Sequence, residues 1–75
     1  MHIKKLQGIR ESVGENEIML FNTYTYERIK LNGSAFELWN RMSKNIALSL
    51  DSNEYDQFKN IISFLVRNKY LEVQP

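Results

Sequence analysis

The sequence contains no cysteine and a single histidine, His2, near the start of the chain. Without cysteine there is no disulfide and no thiolate ligand, and one histidine with scattered carboxylates does not supply the converging ligands that a metal site needs. Nucleophilic catalysis would need a base beside a serine or threonine, and the sequence suggests no such pair. We therefore predict no metal, no cofactor and no catalytic residue, and thus a protein that is not an enzyme.

Glycine and proline are also scarce, with three glycines at positions 8, 14 and 33 and one proline, Pro75. Three isolated glycines do not make a phosphate-binding loop. The longest run of apolar residues is Ile18–Phe21, far short of the roughly 20 residues that span a membrane. The first residues lack the apolar segment of a signal peptide. We predict a cytoplasmic protein without a membrane partner.

The 75 residues carry ten basic and nine acidic side chains, and 43% of them are hydrophobic. This length and composition predict one domain, residues 1–75, near the lower size limit for a core without disulfides or metals. The formal charge of +1 argues against a nucleic-acid partner, because clustered positive charge supplies most of that affinity.

Alternation in residues 7–13 and 26–31, the continuous apolar run Ile18–Phe21 and the turn residues between them predict three antiparallel strands, roughly 8–13, 17–23 and 26–31. In the third strand, Ile29 and Leu31 point to one face and Arg28 and Lys30 to the other. The charged residues 1–6 show no periodicity that predicts an element.

Helical spacing begins after Asn32, with apolar residues at Ala35, Leu38, Trp39 and Met42. The predicted first helix ends at Met42 or Ser43. Its cap is either Asn32, or Ser34 with Glu37 as capping-box partner. The segment Ile46–Leu50 fits either one helical turn or an extended linker.

The longest predicted helix runs from about Glu54 to Asn68, after the capping cluster Asp51–Asn53. Its main apolar stripe consists of Tyr55, Phe58, Ile61, Ile62 and Leu65. Phe64 and Val66 lie outside this stripe on opposite flanks, and a short extended tail, Tyr70–Val73, follows.

A three-stranded antiparallel sheet followed by three helices, the second of them short, is a winged-helix-like α+β fold. A winged-helix DNA-binding protein is therefore one alternative. Its recognition helix should carry clustered Arg and Lys, whereas the last helix here balances its basic residues with Glu54 and Asp56. A small dimerisation protein is the second alternative.

Short motifs relate the chain to a known family. The third strand ends in Leu31-Asn32, with Ala35 three residues later and Trp39 four beyond that. The chain closes with Ile61–Val66 and then Tyr70–Glu72. Together with Leu20–Thr25, these motifs resemble the PqqD-like domains, also called RiPP recognition elements, over roughly residues 9 to 73.

Three segments depart from the pattern of that family. Tyr26 stands where the second hairpin usually has glycine, and Ser43–Asn45 replaces an acidic-glycine turn. The second helix is compressed into Ile46–Leu50.

The resemblance implies a peptide-binding module with no chemistry of its own. Members of the family capture the N-terminal leader of a ribosomally synthesised precursor peptide by adding it as a strand beside the third strand, against the third helix. The implied partners are the precursor peptide and a modifying enzyme, such as a leader protease and cyclase pair or a radical-SAM enzyme.

An edge strand suits this mode, because its unpaired N–H and C=O groups can pair with an extended peptide. Side-chain pockets are expected from Phe64 or Val66 on the helix, with Tyr26 and the stems of Arg28 and Lys30 on the strand. The predicted peptide-binding residues are Tyr26, Glu27, Arg28, Ile29, Lys30, Leu31, Lys59, Ser63, Phe64, Val66 and Arg67.

Overall fold

Two three-stranded antiparallel sheets and two helices make up the computed structural model, which describes residues 1–74. Pro75, the end of the predicted domain, lies outside the described residues. The elements are β1 (His2–Lys5), β2 (Ile9–Gly14), β3 (Glu17–Asn22), β4 (Arg28–Asn32), α1 (Gly33–Asn40), β5 (Leu48–Ser49), α2 (Ser52–Arg67) and β6 (Leu71–Gln74). The strand orders are β2-β3-β4 in one sheet and β5-β1-β6 in the other.

The predicted winged-helix-like fold, one sheet followed by three helices, is wrong. The chain has a second sheet, and only two helices lie within residues 1–74. The segment Ile46–Leu50 contains the two-residue strand β5, which pairs with β1 and forms no helix. No helix can therefore be assigned as the recognition helix of a winged-helix DNA-binding fold within residues 1–74.

The first residues form the central strand of the second sheet, which the sequence did not indicate. Ile3 is wholly buried, and Lys5 is only 9% exposed. The Lys5 ammonium lies 3.1 Å from the Glu11 carboxylate and 4.6 Å from the centre of the Trp39 ring. A lysine is tolerated at this depth because its charge is paired and its stem covers an apolar ring.

The first sheet comprises the three strands expected from the alternation, with shifted ends. Along β3 the side chains of Ile18, Leu20 and Asn22 are buried, whereas Met19 and Phe21 point to the other face. In β4, Leu31 is buried and Ile29 half-buried on the same inner face. The predicted third strand is too long, because Tyr26 and Glu27 belong to the loop before β4.

The first helix ends two residues earlier than the predicted Met42. Its N-cap is Asn32, whose side chain makes no capping hydrogen bond. Leu38 and Trp39 are buried in the core, and Met42 still packs there after the helix has ended. The apolar pattern therefore extends to Met42 because that side chain is buried, although the helix ends at Asn40.

The second helix begins at a complete capping box. The Asp51 side chain accepts from the Glu54 N–H at 2.8 Å, and the Glu54 carboxylate accepts from the Asp51 N–H at 3.2 Å. Phe58, Ile62 and Leu65 form its buried stripe. Within residues 1–74, neither helix has the length and apolar character required to cross a bilayer.

The core lies between the inner face of the first sheet, the two helices and the second sheet. It contains Ile3, Ile18, Leu20, Leu31, Leu38, Trp39, Met42, Leu50, Phe58, Ile62, Leu65, Tyr70 and Leu71. Both sheets contribute, so the pairing of the chain ends in β1 and β6 closes the core.

Candidate functional site

The outer edge of β4 is the part of the predicted site that the fold leaves open for backbone pairing. β4 is the last strand of its sheet, and β3 is its only strand partner within the described residues. Arg28, Lys30 and Asn32 are exposed, whereas Ile29 and Leu31 point toward the core. The prediction of an edge strand at this position is thus consistent with the sheet order.

The pairing register shows which backbone groups of β4 face outward. Residues of β3 and β4 pair from Glu17 with Asn32 to Phe21 with Arg28. One step further, the Asn22 N–H donates to the Glu27 carbonyl at 2.9 Å. Antiparallel ladders alternate between hydrogen-bonded and non-hydrogen-bonded pairs. The backbone groups of Ile29 and Leu31 therefore point to β3, and those of Arg28, Lys30 and Asn32 point away from it.

Five outward groups are available on this edge. They are the N–H and C=O of Arg28, the N–H and C=O of Lys30, and the N–H of Asn32. The Asn32 carbonyl is excluded, because the C=O of an N-cap residue accepts the first bond of its helix. Within residues 1–74 no loop or side-chain hydrogen bond occupies any of the five.

The hairpin loop before β4 determines which backbone groups of this strand point outward. The Tyr26 N–H donates to the Asn22 carbonyl at 2.8 Å, which closes a four-residue loop, 23–26. Tyr26 has φ +62°, a left-handed conformation that favours glycine. Its side chain is 79% exposed. Tyr26 thus stands at a glycine-type position and projects into solvent beside the start of β4.

Two hydrogen bonds hold the segment after α2, residues 69–70, against the β3–β4 hairpin. Tyr70 Oη donates to the Glu27 carbonyl at 3.2 Å, and Asn22 Nδ2 donates to the Lys69 carbonyl at 2.8 Å. Burial, and secondarily the Glu27 carboxylate, raise the pKa of the Tyr70 phenol above its ordinary value. The neutral phenol is therefore the form that packs here, and it can donate this bond.

The predicted residues of α2 divide over different sides of the helix. At 100° per residue, Arg67 lies opposite the buried Phe58, and Lys59 and Ser63 lie between that side and one flank. All three are exposed, and no hydrogen bond or ion pair within residues 1–74 joins them to β4. The role of these three side chains in peptide binding therefore remains a prediction.

Phe64 and Val66 lie on opposite flanks of α2, as the spacing predicts. At 100° per residue, Phe64 and Glu54 lie to the same side of the buried Phe58, about 80° apart, and the Glu54 carboxylate accepts from Arg41 at 2.6 Å, just beyond the end of α1. The Phe64 flank is therefore the side on which α1 lies, and α1 follows directly from β4. Phe64 is 42% exposed there.

Sequence reasoning missed Asn22 and Tyr70 as the residues that position the site. The sequence pattern indicates only a strand end at Asn22 and an extended tail that begins at Tyr70. Both are almost fully buried, and both bond to groups more than forty positions away in the chain. The presence of an asparagine at the inward-facing end of an apolar strand was the one available signal, because a buried amide needs partners.

No group of three or more His, Cys, Asp or Glu side chains is placed to hold a metal ion within residues 1–74. A pocket of about 460 Å³ lies between β1, β6 and the loop 23–26, and its lining residues lie outside β4. Its lining consists of Lys4, Lys5, Leu6, Gln7, Asn22, Tyr24, Thr25, Lys69 and Glu72.

Comparisons with protein-family models, curated proteins and solved structures find no match for this chain.

Proposed function

We propose that this chain is a non-catalytic binding module that captures an extended peptide as an additional strand on the outer edge of β4. The observation that carries the proposal is the set of five outward backbone groups on Arg28, Lys30 and Asn32. At a net value of about 0.5–1.5 kcal/mol for each hydrogen bond, these groups provide affinity with little discrimination between sequences. Side chains beside the edge must supply the specificity.

We further propose that the peptide is the leader of a ribosomally synthesised precursor, which the module presents to a modifying enzyme. A leader protease and cyclase pair or a radical-SAM enzyme would fit this role. The support is the resemblance of residues 9–73 to the PqqD-like domains, which includes the Leu31-Asn32 strand end. The fold of that family does not support it, because Ile46–Leu50 forms no second helix here.

The β4 edge is a better site for a peptide than the edge of β2. By the same alternation, Ile9, Glu11 and Val13 of β2 have outward backbone groups, because the Thr23 N–H donates to the Gly8 carbonyl at 3.0 Å. However, the Glu11 side chain forms an ion pair with the buried Lys5. The loop before β4 instead bonds to Tyr70, which follows α2, and we propose that α2 forms a side wall for a bound peptide.

Phe64 is the side chain of α2 that we assign to this wall. It is an exposed aromatic residue on the flank shared with α1, whereas Val66 is half-buried on the other flank. In this proposal a peptide on β4 covers part of the Phe64 ring, and burial of apolar area stabilises a complex by roughly 25 cal/mol per Å². Phe64→Ala should therefore weaken binding more than Val66→Ala.

Proline variants provide the test of strand addition, because proline removes one backbone donor. Lys30→Pro removes an outward N–H, and Val13→Pro removes an outward N–H on the other edge of the same sheet. Ile29→Pro removes an N–H that is bonded to β3 and should lower stability. Lys30→Ala keeps the N–H and controls for loss of the side chain.

The binding assay is calorimetric titration with leader peptides encoded beside the gene of this chain and with peptides selected from a displayed random library. We expect Lys30→Pro to bind about tenfold or more weakly than Lys30→Ala, the effect of about 1.4 kcal/mol, while Val13→Pro binds nearly as the parent does. Unfolding curves of each variant separate lost binding from lost structure. The proposal is wrong if no peptide binds, or if Lys30→Pro and the parent bind equally.

Self-association is the competing use of the same edge. Sedimentation equilibrium should show a monomer in the absence of peptide. A dimer that Lys30→Pro dissociates would show that β4 pairs with a second copy, and the leader-binding proposal would then be abandoned.

A further inference from the structure

Two basic side chains, Arg28 and Lys30, lie at the β4 border of the outer face of the first sheet. Pairing places Arg10, Phe21 and Arg28 in one row across the three strands, and Ser12, Met19 and Lys30 in the next. These side chains share the face that points away from the core. The Arg28 guanidinium lies 5.4 Å from the centre of the Phe21 ring.

Negative charge on this face is too small to balance the basic residues. Glu17 is the acidic residue of the face, and its carboxylate lies 3.5 Å from Lys30 Nζ. Both side chains of that pair are about half exposed, so water weakens their attraction. Arg10 and Arg28 form no ion pair within residues 1–74. The β4 border of the face therefore has an excess of positive charge.

A strand added to β4 would have to present its side chains to two different environments. Its residues opposite Arg28 and Lys30 would lie on the outer face, within cross-strand contact of these basic groups. Its residues opposite Ile29 and Leu31 would point to the apolar inner face. A shift by one residue would exchange the two sets.

We infer that the bound peptide alternates acidic and apolar residues, with the acidic ones opposite Arg28 and Lys30. This inference rests on the proposed strand addition and makes these two side chains the determinants of peptide choice and register. The pairing is an exposed one, worth about 0.2–1 kcal/mol for each pair. For the two pairs together, the expected preference is therefore about twofold to thirtyfold, and it should decrease as salt rises.

The test uses three short peptides in which valine alternates with glutamate, threonine or lysine. We expect the glutamate peptide to bind the parent most tightly and the lysine peptide least tightly. Arg28→Glu should lower the preference for glutamate or reverse it in favour of lysine. Arg10→Glu is the matched control, because it changes the same charge on the same face but two strands away, about 10 Å from β4.

The outcomes separate this inference from the proposed function. Equal binding of the three peptides, all weakened by Lys30→Pro, would overturn the charge preference and leave strand addition in place. The charge preference would also be overturned if Arg10→Glu changed the choice of peptide as much as Arg28→Glu does. Binding that Lys30→Pro does not weaken, for these peptides and for leaders alike, would overturn both.

Discussion

The buried amide of Asn22 is predicted to be the main polar link between the β3–β4 hairpin and the end of α2. Its Nδ2 donates to the Lys69 carbonyl at 2.8 Å, and its Oδ1 accepts from the Tyr24 and Thr25 N–H groups at 2.8 and 3.2 Å. The side chain is 1% exposed. Replacement by alanine removes all three bonds and leaves their backbone partners without this amide.

The expected loss follows from the number and quality of these bonds. At a net value of about 0.5–1.5 kcal/mol each, and with the longest bond to Thr25 weakest, Asn22→Ala should lower the free energy of unfolding by about 2–4 kcal/mol. A chain of 75 residues has a total stability of only about 4–11 kcal/mol. The melting temperature should fall by roughly 8–30 °C.

Urea unfolding followed by the fluorescence of Trp39 is a suitable assay, because Trp39 is the only tryptophan and is wholly buried. The midpoint should decrease while the slope of the transition stays unchanged. Asn32→Ala is the matched control: this asparagine is exposed and its side chain makes no cap bond, so the change should stay within about 0.5 kcal/mol. Equal losses for the two variants would refute the reasoning.

Two further predictions concern tyrosines near the same corner. Tyr70→Phe removes the bond to the Glu27 carbonyl and should cost about 1 kcal/mol near neutral pH. Because the folded state raises the pKa of Tyr70, the stability that this phenol contributes is complete below its unfolded pKa of about 10 and decreases above it. Between neutral and strongly alkaline pH, the urea midpoint should therefore fall more for the parent than for Tyr70→Phe, and equal falls would contradict this. Tyr26→Gly should raise the free energy of unfolding by roughly 0.5 kcal/mol, because the strain of φ +62° that it removes exceeds the cost of the extra chain entropy of glycine. Tyr24 has no positive φ, so Tyr24→Gly should lower the free energy of unfolding. The opposite order of the two variants would refute the strain at Tyr26.

Local patterns predicted the elements that depend on neighbouring residues. The alternating burial in residues 17–22 and 28–32 follows from one sheet face packing on the core. The capping box at Asp51 and the stripe through Phe58, Ile62 and Leu65 are likewise short-range signals. The exposure of Arg28 and Lys30 on β4 could therefore be anticipated, although which side of the strand stayed unpaired could not.

The ends of the chain could not be read in the same way. β1 contains His2, Lys4 and Lys5 among its four residues and has little apolar alternation. It is a strand because it pairs with β6, about seventy positions later, and with β5. Lys5 can be buried only because Glu11 and Trp39 surround its charge and stem. The strand partners of β1 are distant in sequence, so the winged-helix interpretation omitted the second sheet.

The sequence by itself determined a hairpin-rich first half, a helix after Asn32 and a long amphipathic helix in the second half, because these features arise from short-range periodicity and caps. Only the tertiary structure decided the second sheet and the orientation of the β4 backbone. A helix satisfies its hydrogen bonds within itself, whereas a strand requires a partner, and its register depends on the turn that joins the two. The four-residue loop ending at Tyr26 therefore determines which groups of β4 a peptide can reach.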